Sequence, residues 1–162
     1  MEIWDAYDAQ WNRIEGRTLI RGKAIPEGLY HLVADVIVRH TDGSYLLMRR
    51  DPAKKYGGMW EATAGGAALK GESPSECAAR ELREETGIVA DGLLEVGRIT
   101  SSRHRTLFAE FLCVTDWKKD RVTLQEGETV DYRWVSRDEL LGMDRRTLLT
   151  ERMQAFIGEL KR

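Results

Sequence analysis

Apolar residues in this chain fall into short runs separated by polar, turn-forming stretches. His31-Leu32-Val33-Ala34-Asp35-Val36-Ile37-Val38 is nearly continuous and β-branched, which predicts a buried strand. Thr41-Asp42-Gly43 then supplies a turn, and Ser44 to Arg50 returns as the second strand of a hairpin. A polar, glycine-bearing loop runs from Asp51 to Gly58. Further strands are predicted at 93–100, 106–115 and 130–135. Residues 3–25 alternate loosely, with Glu15-Gly16 read as the turn between two short strands. Ser73-Pro74 starts a helix, with serine as N-cap, proline at the first helical position and Glu76 completing a capping box. Gly87 closes that helix as a C-cap, and two more helices are predicted near 137–142 and 145–160. Strands, one central helix, more strands and terminal helices predict an α/β fold with a mixed sheet, not a doubly wound one.

Composition narrows the function classes. The 162 residues fit one domain spanning 1–162, with N-terminal strands or a hairpin over 1–30 and a core over 31–162. The 25 basic and 27 acidic side chains nearly balance, which argues against a nucleic-acid scaffold. No apolar run approaches the roughly 20 residues of a membrane span. The acidic Met1-Glu2-Ile3-Trp4-Asp5 is unlike a secretory signal, and Cys77 and Cys113 have no CxxC spacing. A reduced, cytoplasmic protein is expected.

The chemistry concentrates in Arg80-Glu81-Leu82-Arg83-Glu84-Glu85. On a helix Glu81, Glu84 and Glu85 stand at i, i+3 and i+4 and share one face. Like charges at that spacing repel, and the helix dipole disfavours anions toward the C-terminal end. A divalent cation held by carboxylate oxygens removes both penalties. Taken alone, such a string is also a common solvated helix face, with Arg80 and Arg83 neutralising it.

The wider context reverses that balance. Residues 66–88 match G-x5-E-x7-R-E-U-x-E-E-x-G-U, with U aliphatic, from Gly66 through Glu72, Arg80, Glu81, Glu84, Glu85 and Gly87 to Ile88. Seven such fixed residues coincide by chance in fewer than about one random chain in a million. The segment resembles the signature box of the Nudix family. Leu46 to Arg50, Gly58-Met59-Trp60-Glu61 and Trp134-Val135-Ser136 resemble the family's flanking elements. Trp4-Asp5-Ala6-Tyr7-Asp8 with Tyr30-His31-Leu32 is similar to the branch related to isopentenyl-diphosphate isomerase.

The resemblance implies an α/β/α sandwich with the box as loop-helix-loop, and hydrolysis of a diphosphate linked to another moiety with magnesium or manganese (Mg2+ or Mn2+). Glu81, Glu84 and Glu85 become metal ligands and catalytic residues, and the Gly66 carbonyl a further ligand. Glu72 and Arg80 hold the loop against the helix through a carboxylate–guanidinium pair. In many members the general base lies outside the box. Glu128 is the candidate here, ahead of Glu126 and Glu110. Arg50 with Lys54 and Lys55, and Arg103 in Arg103-His104-Arg105, are candidate phosphate contacts. Trp60 is a candidate substrate contact, with a core position as its alternative. His31 is read as structural.

Two rival functions follow from the same resemblance. An isomerase needs a catalytic cysteine and a histidine-rich metal site, for which three histidines and two helix- or strand-borne cysteines are a poor provision. A non-catalytic nucleotide sensor is expected to lack a box glutamate and to carry a DNA-binding segment, for which the chain leaves no room. A small-molecule diphosphate is the expected partner, and a homodimer through the aromatic N-terminal strands is plausible.

Overall fold

The computed structural model describes residues 1–149 and 151–161. Position 150, within the helix predicted at 145–160, lies outside the described residues. Strands β3 (His31–His40) and β8 (Thr106–Thr115) form the centre of a mixed sheet and run parallel, with His31 opposite Thr106 and His40 opposite Thr115. β4 (Tyr45–Arg50) pairs antiparallel with β5 (Trp60–Glu61) and β9 (Thr129–Val135), and β7 (Leu94–Ser101) pairs antiparallel with β8. β6 (Thr63–Ala67) lies antiparallel on β3.

The alternation of side chains sorts two cores. Val36 and Val38 of β3, Leu46 and Met48 of β4, and Leu107 and Ala109 of β8 pack with Cys77, Ala78 and Leu82 of helix α1 (Pro74–Thr86). The intervening Ile37, Tyr45, Leu47 and Leu112 face the other way, onto α2 (Arg137–Leu141) and α3 (Glu151–Glu159) through Leu140, Met153 and Ile157. Helices therefore cover both faces. Among the described residues no helix is long and apolar enough to cross a membrane.

Helix α1 begins and ends where local chemistry says. The Ser73 hydroxyl accepts the Glu76 amide at 3.2 Å, and Glu76 accepts the Ser73 amide at 3.1 Å. Gly87 takes φ 77° and donates to the Arg83 carbonyl. Ser73→Ala is expected to lower stability by about 1 kcal/mol, because it strips the cap. Urea unfolding checks it, and an unchanged midpoint would show that tertiary packing alone holds this helix end.

Two local expectations are corrected, and one strand is added that the sequence analysis did not assign. The N-terminal turn lies at residues 8–12, where the Asp8 carboxylate accepts the amides of Gln10 and Asn12. It joins β1 (Ile3–Tyr7) to β2 (Arg13–Ile20) as a separate two-stranded sheet. Glu15-Gly16 sits inside β2 and marks a bulge: pairing jumps from Asp5–Thr18 to Tyr7–Arg13, and Gly16 takes φ 73°. Residues 145–149 are not helical, and the described part of the last helix is Glu151–Glu159. Before it, Asp144 caps a turn through the Arg146 amide, and Trp60 exchanges backbone hydrogen bonds with Thr147 and Leu149, which holds that stretch extended. Finally, Thr63-Ala64-Gly65-Gly66-Ala67, with little strand propensity, is a strand because β3 lies alongside it.

Candidate active site

The box is built on β6 and α1. Asp35 stands opposite Gly65 and Ala34 opposite Gly66 in the β3–β6 pairing. Both glycines are required by space. A Cβ on Gly66 would come 2.5 Å from Glu81 Oε1, and one on Gly65 would collide with the Ala34 carbonyl and the Asp35 carboxylate. Arg80 fastens the intervening loop. Its Nε donates to Glu72 Oε1 at 2.5 Å and its Nη2 to Glu72 Oε2 at 3.0 Å and to the Ala67 carbonyl at 3.2 Å. Glu72 also accepts the Leu69 amide at 2.9 Å. Burial works to raise the Glu72 carboxyl, and these donors outweigh it, leaving it below its ordinary value.

The three box glutamates share a cleft of about 410 Å³ with Gly66. Glu85 is 9% exposed. Burial first, then repulsion from Glu81 and Glu61, pushes its carboxyl up to about 8 against a hydrogen bond from the Gly65 amide. Burial also raises Glu81, with Arg80 opposing and Glu84 adding repulsion. Arg80 Nη1 donates to Glu81 Oε1 at 2.8 Å and to Glu84 Oε2 at 3.3 Å. Among the described residues no three acidic, histidine or cysteine side chains already stand in metal-cage geometry. The donor set nonetheless suits a hard divalent cation. It is all oxygen, and two of its carboxylates, Glu81 and Glu85, are crowded and buried to the point of resisting ionisation, a cost that a cation relieves.

Residues outside the box complete the cleft. Glu128 and Lys54 line it from the opposite side and form an ion pair with each other. Both also line an adjoining hollow of about 100 Å³ with Arg50, Glu61, Asp35 and Glu85. Arg50 donates to Glu61 at 2.6 Å and to the Lys55 carbonyl at 2.9 Å. Lys55 and Glu126 are exposed and line neither space.

Two candidate contacts are not brought to the cleft. Trp60 packs against the α2–α3 core with the Arg133 guanidinium 4.8 Å over its ring. Arg103 is exposed in the β7–β8 turn and lines neither hollow. A hollow of about 460 Å³ beside Arg39, His40 and Arg137 contains none of the box glutamates.

Arg152 and the role of Asp35 escaped the sequence reading, and both meet Glu110, the least favoured base candidate. Arg152 of α3 reaches Asp35 at 3.0 Å and Glu110 at 3.2 Å, with Phe108 stacked under its guanidinium at 4.1 Å. Glu110 is wholly buried, and neither of its oxygens has hydrogen-bond alignment in that pair. Burial raises both carboxyls, and Arg152 holds them back. At the far end of the cleft His31 stacks on Trp4, with ring centroids 4.3 Å apart. The Thr106 hydroxyl donates to the His104 carbonyl, so it accepts from His31 Nε2 and assigns the proton there. Burial lowers the His31 pKa to about 4, which keeps the ring neutral.

Comparison with known proteins decides the family. The description "NUDIX domain" matches residues 29–157, most of the chain and the whole of the box. The chain belongs to the Nudix family. An uncharacterized Nudix hydrolase of Listeria monocytogenes is 35% identical over 86% of this chain and 83% of its own length. The CTP pyrophosphohydrolase of Escherichia coli is 34% identical over 70% of this chain and 80% of its own. In fold, the chain is similar to DR0079 of Deinococcus radiodurans, with a TM-score of 0.70, 18% identity and 86% of each chain covered. It is a Nudix hydrolase that cleaves diphosphate linkages. Nudix hydrolases generally need a divalent metal ion.

Proposed function

We propose that this Nudix hydrolase acts on nucleoside di- or triphosphates or their derivatives with Mg2+ or Mn2+. Glu81, Glu84, Glu85 and the Gly66 carbonyl would hold the cation. The observation that carries the reading is that one cleft brings the box glutamates and Gly66 together with Lys54 and Glu128 from outside the box. The similarity to a CTP pyrophosphohydrolase supports a nucleotide substrate.

When bound, the cation neutralises diphosphate charge and makes water easier to deprotonate. The chain supplies the rest. Glu128, which lines the cleft with the box glutamates, would take the proton of a water attacking phosphorus. Lys54, paired with Glu128 in the cleft, and Arg50, paired with Glu61 in the adjoining hollow, are the candidate contacts for the diphosphate. The Glu72–Arg80 pair keeps the loop in place and positions Glu81 and Glu84. Substrate cleaved at phosphorus leaves as a monophosphate and a second phosphorylated or pyrophosphate product.

The isomerase reading has little to stand on, because Cys77 and Cys113 are both buried and neither lines the cleft. Product release should be followed for CTP, ATP, ADP-ribose and isopentenyl diphosphate with magnesium, with manganese and with EDTA. Cleavage of a nucleotide that needs the metal is expected. Turnover surviving EDTA would overturn the metal assignment, and metal binding without any turnover would favour the sensor reading.

A further inference from the structure

The family match begins at residue 29, so the β1–β2 hairpin lies outside it. The hairpin nevertheless reaches the catalytic cleft. It carries its own small core of Trp4, Ala6 and Leu19, packed on Ala67 of β6. It is also tied to the loop of the box. The Lys70 amide donates to the Ile3 carbonyl at 2.9 Å, and the Gly71 amide to Asp5 at 2.7 Å. Glu2, Trp4 and Arg21 of this segment consequently line the same space as Glu81, Glu84 and Glu85.

Those residues give the cleft a second set of lining groups beside the box glutamates. Val33 and Leu69 supply apolar lining, and the Trp4–His31 stack, with planes 18° apart, supplies a flat aromatic element. Beside it stands a charged pair. Glu2 accepts the Trp4 indole N–H at 2.7 Å through Oε1 and Arg21 at 3.1 Å through Oε2. Burial acts to raise the Glu2 carboxyl, and these two hydrogen bonds outweigh it, so Glu2 is an ionised acceptor. Arg21, 67% exposed at its side chain, has donors to spare.

An acceptor-only carboxylate next to a donor-only guanidinium, beside an aromatic stack, matches one kind of ligand. A base with an exocyclic amine beside a ring acceptor, such as cytosine or adenine, offers the complementary pattern. Uracil presents a carbonyl to Glu2 in place of the amine. An isoprenoid tail would strip water from both charges and return no hydrogen bond, which is costly.

We infer that the N-terminal hairpin is the base-recognition subsite, with Glu2 accepting from the exocyclic amine and Arg21 donating to the neighbouring acceptor of an amine-bearing nucleobase. This rests on the nucleotide reading above and specifies which nucleotides it covers.

The test is steady-state kinetics with magnesium on CTP, ATP, UTP and the base-free phosphoribosyl pyrophosphate, for the wild type, Glu2→Gln and Arg21→Ala. Both side chains reach the protein surface, and thermal melting confirms that the variants fold. The wild type should favour CTP or ATP over UTP. Glu2→Gln should narrow that preference about tenfold, since an amide no longer discriminates amine from carbonyl. Arg21→Ala should raise KM for CTP and ATP about tenfold relative to its effect on phosphoribosyl pyrophosphate, with kcat for these nucleotides little changed. A wild type indifferent to the amine overturns the subsite alone. So do variants that keep the wild-type preference, or that lose base-bearing and base-free substrates equally. A wild type that cleaves no nucleotide overturns the nucleotide reading as well.

Discussion

Glu85→Gln is expected to lower kcat by about a thousandfold or more while leaving the fold intact. The amide fills the same space and still accepts the Gly65 amide, but it no longer offers the negative charge that the proposed cation site needs. The same substitution should stabilise the metal-free protein at high pH. The carboxyl titrates near 4.5 when exposed and at about 8 in place, so between these values the folded chain binds more protons than the unfolded one. Its burial therefore costs nothing below about pH 4.5, and wild-type stability declines as pH rises through 8. Melting in EDTA should find the variant level with wild type near pH 4 and more stable at pH 8. A variant with near-wild-type kcat would remove Glu85 from the ligand set. One that melts lower at pH 8 would show that its buried charge is compensated by a partner.

The second large effect separates two adjacent glycines. Gly65→Ala places a methyl against the Ala34 backbone and Asp35, where β6 and β3 are hydrogen-bonded and cannot part cheaply. It should cost about 1–3 kcal/mol of stability and most of the activity. Gly66→Ala meets only the carboxylate end of Glu81, a flexible group. It should melt close to wild type and yet lose about a hundredfold in kcat, because the displaced atoms are among those proposed to hold the cation. Thermal melting beside steady-state kinetics reads both. Equal melting points for the two variants would contradict the contrast.

What could be read in advance was what depends on neighbours in sequence. The limits of α1 follow from Ser73, Glu76 and Gly87 within a few residues of each other. The shared cleft of Glu81, Glu84 and Glu85 follows from helical period. The charged groups around them do not obey such rules. Asp35 joins the site through the register of β3 against Gly65, and Arg152 reaches Asp35 from the far end of the chain. Glu61 reads as an ordinary polar residue until β5 and β4 pair. Trp60 was open to a substrate role because an aromatic side chain carries no label for its face of the sheet. The Glu15-Gly16 signal was physically sound, since a glycine at positive φ does bend the strand there, but a bulge uses the same chemistry as a turn.

The parallel pairing of β3 with β8 has a bearing on how the site is assembled in time. It joins strands that begin at His31 and Thr106, and the whole of the box lies in the chain between them. Contacts so remote in sequence carry a loop-closure entropy that grows with the logarithm of the enclosed length, and folds centred on them form slowly compared with helical ones. Helix α1 has the caps to flicker into shape early. Its glutamates, however, face Trp4 and His31 from before the loop and Glu128 from after it, so the pocket that gives them their charge behaviour exists only once both ends of that loop have met.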